Sequence, residues 1–179
     1  MRPLLLVLCV LAAAESAAAQ TPTPTVIEPS ANVTGVTITH AGIYTAQTTS
    51  KLAEAGQESP TRTIGTASDW RFVSDSTDVD GKVGTQFGIE FRIDGTPADQ
   101  AVTIHLGLKF PPQGIRNPNT GDLLRTARVA FPDMKIGALC VVGYGFDNAW
   151  EIVPGAWTLQ ILYQDRVLAE RTFVVSKPE

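Results

Sequence analysis

Gln86-Phe87-Gly88-Ile89-Glu90-Phe91-Arg92-Ile93-Asp94-Gly95-Thr96-Pro97 and, after four further residues, Val102-Thr103-Ile104-His105-Leu106-Gly107-Leu108-Lys109-Phe110 decide the fold class. Successive side chains of a strand point to opposite faces, so apolar residues at every second position make one buried face. Phe87, Ile89, Phe91 and Ile93 alternate with Gln86, Gly88, Glu90 and Arg92. Val102, Ile104, Leu106 and Leu108 alternate with Thr103, His105, Gly107 and Lys109. Helical spacing fits neither run. Asp94-Gly95-Thr96-Pro97 is turn chemistry. The two runs therefore read as half-buried antiparallel strands sharing one core face. If Ile93 pairs with Val102, Glu90 falls opposite His105 on the polar face.

The pattern continues on both sides. Downstream, Pro111-Pro112 ends the second strand, residues 116–122 read as a loop, and residues 125–131 as a strand. Pro132-Asp133-Met134 reads as a turn, residues 136–146 as a further strand loosened by Gly143 and Gly145. Pro154-Gly155 opens a final hairpin, with Trp157, Leu159, Ile161 and Tyr163 inward, reversal at Gln164-Asp165-Arg166, and Phe173 and Val175 inward on the return. Upstream, residues 32–45 make the first strand region and residues 70–73 a short strand. Residues 48–67 and 74–84 are polar and read as loops. Short strands punctuated by Gly and Pro, with no fixed-period repeat, predict an all-β fold: an antiparallel sandwich of about seven to nine strands.

The first residues predict export. Arg2 precedes a short apolar run over residues 4–14, and Ala17-Ala18-Ala19 supplies the small-x-small pattern of a signal-peptidase site after Ala19. The run is shorter than the roughly 20 apolar residues of a spanning helix. Residues 20–31 carry Thr-Pro-Thr-Pro-Thr, which favours extended, solvated chain and reads as a flexible leader. Residues 32–179 are left as one domain. Removing residues 1–19 removes Arg2 and Glu15, leaving 13 of the 14 Lys and Arg against 17 of the 18 Asp and Glu. That acidic balance argues against a general nucleic-acid binder. Cys9 leaves with the leader, so Cys140 is alone and no intramolecular disulfide is expected; Cys140 reads as a buried apolar residue of its strand.

The ending Pro154-Gly155-Ala156-Trp157-Thr158-Leu159-Gln160-Ile161, with Phe173-Val174-Val175, resembles the final hairpin of bacterial immunoglobulin-like sandwiches. Gly42-Ile43-Tyr44, then residues 84–91, then Phe110-Pro111, resemble segments in the same order in an uncharacterised bacterial domain of unknown function found in exported proteins. The resemblance covers residues 33–175 and implies an immunoglobulin-like architecture without the paired cysteines of antibody domains. It implies no reaction and no ligand.

Motifs of chemistry are sparse. His40 and His105 are the two histidines, and neither has metal-ligand spacing. Asp75, Asp78 and Asp80 precede Gly81, but an EF-hand loop counted from that glycine puts Ser76 first and Phe87 at the position of the bidentate Glu. No serine elbow, phosphate-cradling loop or other cofactor motif is present. The site candidates are therefore recognition groups at strand edges and one polar face: Trp70, Arg71, Glu90, His105 and Trp150. Three readings follow. One is an exported, non-catalytic binding or adaptor module for a protein or cell-envelope ligand. The others are a periplasmic hydrolase using loop carboxylates and His105, and a structural protein assembling through an exposed strand edge.

Overall fold

A computed structural model describes residues 30–52 and 58–177, with backbone alone at 50–52. Among the described residues, eleven strands run in the order β1 (Asn32–Leu52), β2 (Thr63–Ser74), β3 (Asp78–Val79), β4 (Gln86–Thr96), β5 (Ala101–Lys109), β6 (Ile115–Arg116), β7 (Leu123–Leu124), β8 (Thr126–Lys135), β9 (Leu139–Gly145), β10 (Gly155–Tyr163) and β11 (Arg166–Val175). A single 3-10 turn, Ala149–Glu151, links β9 to β10. Four strands form one sheet in the order β2-β1-β4-β9. Five form the second in the order β3-β11-β10-β5-β8, and β6 and β7 make a separate ribbon. Apart from β3 on β11, every pairing is antiparallel. The predicted signal segment, its cleavage site and residues 20–29 of the flexible leader fall outside the described residues.

The core is the apolar set read from the two alternating runs. Phe87, Ile89, Phe91, Ile93, Val102, Ile104, Leu106 and Leu108 are all buried in one cluster with Trp157, Leu159, Ile161, Phe173 and Val175. Trp157 has no exposed surface and donates its indole N–H to the Val153 carbonyl at 2.8 Å. The final hairpin pairs as its pattern requires, Trp157 with Phe173 and Tyr163 with Arg166.

The partner assignment of the two central strands is corrected. β4 and β5 do not pair; they lie in different sheets and join their apolar faces in the common core. Both edges of β4 are taken, by β1 and β9, and both edges of β5, by β10 and β8. The link between them bonds instead to the chain near the β8–β9 turn, Asp99 N–H to Ile136 O and Ile136 N–H to Gln100 O. His105 therefore faces Leu162 and Ala130, and Glu90 faces His40 and Val141.

Three loop assignments also change. Thr48 and the residues to Leu52 extend β1, and residues from Thr63 extend β2, as a polar hairpin paired from Gln47–Ser68 to Leu52–Thr63. Its Thr, Ser and Gly content hides it from apolar periodicity, while its ladder needs only backbone. Pro132-Asp133-Met134 stays within β8 as an irregularity with Asp133 at φ +63°; the chain reverses later, around Gly137 at φ +87°. Within residues 74–84, Asp78–Val79 pairs with β11 and Val79 is buried. Its single apolar side chain is too short a signal for alternation to register.

Candidate functional site

The outer face of the four-stranded sheet carries the polar cluster built around Glu90. Glu90 is a buried carboxylate at 9% exposure, although it lies opposite the core face of β4. Its burial follows from β1 alongside and from Trp70, which reaches it from β2. Thr39 donates its hydroxyl to Glu90 Oε1 at 2.7 Å, and Trp70 donates its indole N–H to Oε2 at 3.3 Å. His40 Nε2 stands 4.0 Å from Oε1, and its Nδ1 lies 3.1 Å from Asp75 Oδ1. Phe72 stacks on the imidazole with 5.5 Å between ring centres. Of the candidates singled out from sequence, Trp70 and Glu90 come together; the histidine beside Glu90 is His40.

His105 belongs to the other sheet and shares no contact with this cluster. Burial and then the Arg128 guanidinium hold its imidazole below the ordinary histidine value, while Asp165 opposes them. Its Nδ1 is buried without a protein partner. Arg71 is exposed beside Thr45 on β2. Trp150 lies in the 3-10 turn, half-buried against the core. Cys140 is half-buried, and burial pushes its thiol up from the usual value, which removes thiolate character.

A cleft of about 350 Å³ opens where the two sheets part, between β9, the edge of one, and β8, the edge of the other. Leu106, Leu108, Val129, Phe131 and Met134 line its floor. The projecting β1–β2 hairpin overhangs it with Thr48, Thr63, Thr66 and Trp70. Trp70 thus joins the Glu90 cluster to the cleft. The size is at the lower end of ligand pockets, and a mainly apolar lining with a few polar groups is their usual make-up.

Two tyrosines shape this cleft, and neither was singled out from the sequence. Tyr44 lies over Gly88 and Gly143, where a methyl group on either glycine would meet the ring at 3.0 Å or less. Burial pushes the Tyr44 phenol up to about 12. Tyr144 donates to Glu151 Oε2 at 2.6 Å, while Glu151 Oε1 accepts from the Asn148 backbone N–H at 2.7 Å and its side-chain amide at 2.8 Å. Burial raises the Glu151 carboxyl, and these hydrogen bonds oppose the rise. The Asn148-x-x-Glu151 spacing of a helix start was the available signal for this pair. Among the described residues, no group of three His, Cys, Asp or Glu side chains is placed to hold a metal ion. No described helix is long and apolar enough to cross a membrane.

The two facing antiparallel sheets define an immunoglobulin-like β-sandwich, open at one seam. The solved structure of an immunoglobulin-like protein from Pseudomonas aeruginosa superposes with a TM-score of 0.54 at 20% sequence identity, covering 84% of this chain and 99% of that one. The chain belongs to the family described as a domain of unknown function (DUF3859), whose model matches residues 32–175. No curated protein matches the sequence.

Proposed function

We propose that this protein is an exported, non-catalytic binding module whose ligand, a protein or cell-envelope molecule, sits in the seam cleft. The observation that carries this reading is the cleft itself: an apolar floor, aromatic and hydroxyl groups above it, and rigid strands on both sides. Recognition needs such fixed, concave, partly polar surfaces. The short apolar leader with its Ala17-x-Ala19 pattern supports export to the periplasm or beyond. The Glu90–His105 juxtaposition expected from the sequence is absent, because the two residues occupy different sheets.

The test is ligand-observed NMR of the chain from Gln20 onward against a fragment set of sugars, amines and short peptides. Ala67→Trp, on the overhanging hairpin, places an indole in the cleft. Fragments that bind the unaltered protein and are lost in folded Ala67→Trp support the reading. Binding that survives Ala67→Trp unchanged removes the cleft from the account.

A further inference from the structure

We infer that the cleft takes an extended, lysine- or arginine-bearing segment of a partner polypeptide, added as a fifth strand along the edge of β9 that no described strand pairs with. This rests on the cleft being the binding seat and specifies what fills it.

The first observation is the chemistry of the sheet edges. Natural edges are blunted by charge, proline, bulges, brevity or a covering segment. β3 has two residues. β2 carries Asp69 at φ +53°, Arg71 and register shifts. β8 carries Pro132, Asp133 at φ +63° and Lys135, and the Arg128 carbonyl is capped by the Glu58 N–H at 2.9 Å. β9, Leu-Cys-Val-Val-Gly-Tyr-Gly, has no charge, proline or register shift, and among the described residues its outer side meets only the cleft and the hairpin overhanging it.

The second is the direction of its backbone groups. The Phe146 N–H bonds to Thr85 O, and the register continues through Tyr144–Phe87 and Val142–Ile89. Bonding alternates along an antiparallel strand, so Val141, Gly143 and Gly145 turn their N–H and C=O groups away from β4. The cleft lies along that side.

The third is the fit of a strand there. Alternate side chains of an added strand would point to the apolar floor and to the overhanging hairpin. That matches the two unlike walls. An extended segment suits a cleft of about 350 Å³ beneath an overhang, where a second folded domain would not enter. Charge selects the partner. The exposed carboxylates Glu58 and Asp147 line the cleft, and no Lys, Arg or His is among its described lining residues. Main-chain bonds supply affinity in strand addition, and side-chain pockets supply selectivity.

The probe is the capped hexapeptide Val-Lys-Val-Lys-Val-Lys, titrated into the chain from Gln20 onward, with the Val/Glu analogue as control. Binding of the Val/Lys peptide should be at least about tenfold tighter. Val141→Pro removes only an outward N–H, a position where an edge strand tolerates proline, and should weaken binding by about tenfold or more. Methylating alternate peptide nitrogens should do the same without altering the protein. Exchange of the Val141 and Gly143 amides should slow on binding. Peptide binding indifferent to backbone methylation, with unchanged exchange at these amides, would overturn strand addition. Sugars or small amines binding the cleft where peptides fail would sink this inference and leave the binding module standing. No binding of any class would sink both. A dimer lost in Val141→Pro would make a second copy the occupant and overturn the partner proposed here.

Discussion

Replacing Trp157 by Ala should destabilise the domain near the top of the range for large core truncations. The side chain is fully buried. Its ring centre lies 4.9 Å from Phe110, 5.1 Å from Tyr144, 5.5 Å from Phe146 and 5.9 Å from Phe87. Truncating a buried Trp costs about 3–5 kcal/mol through lost transfer energy and the cavity left behind. The four rings come from β4, from β9 and the residue just after it, and from the end of β5, so no one segment can move to fill the hole. The indole also satisfies the Val153 carbonyl, and a buried group left unpaired costs about 1–3 kcal/mol. These contributions overlap, so about 5 kcal/mol is the working figure, a large share of a domain's typical stability of about 5–15 kcal/mol. Trp157→Phe keeps an aromatic ring and loses the N–H, and should cost about 1–3 kcal/mol. Equilibrium unfolding in urea, with the slope held common, measures both. A Trp157→Ala loss below about 1 kcal/mol would refute the account of the core, as would equal losses for Ala and Phe.

Three further outcomes are expected. Phe91→Ala should cost about 3–5 kcal/mol, since Phe91 is wholly buried; Arg92→Ala, whose side chain is 55% exposed with one 3.7 Å ion pair to Asp94, should stay within about 0.5 kcal/mol in the same unfolding assay. The Tyr44 phenol has a folded value of about 12 against 10.0 ordinarily, so its contribution to stability is full below pH 10 and is lost as pH rises through about 12; phenolate absorbance of the folded protein should show Tyr44 titrating late, and a Tyr44→Phe protein should have a smaller late step, the remainder coming from Tyr144, which burial and the Glu151 carboxylate also raise. N-terminal sequencing of exported protein should begin at Gln20, and retention of the leader on a membrane would contradict this.

What was legible in the sequence was which face each residue takes. Alternation at Phe87–Ile93 and Val102–Leu108 identifies buried side chains because burial on one face is a local, period-two property. It carries no information on which strand lies alongside, so β4 and β5, close in sequence, were paired when the fold puts them in opposite sheets. The same gap misassigned the site. Glu90 and Trp70 stood out as a carboxylate and an aromatic at strand positions, but the histidine beside them depended on β1 being the neighbour of β4. The β1–β2 hairpin was invisible for a different reason. Residues such as Thr48, Thr63 and Thr66 have no apolar face to betray a strand, and backbone pairing holds them. The cleft needs that hairpin, β8 and β9 together, so no single stretch announces it.

The central claim, that the seam cleft is where this protein binds, is tested most directly by an amide chemical-shift map of the chain from Gln20 onward. The map would be recorded while the tightest-binding fragment or peptide is titrated. The account predicts saturable shifts centred on Thr66, Trp70, Val141 and Gly143, with the His105 strand face unchanged. Shifts centred on His105, Arg128 and Asp165, with the cleft silent, would contradict it.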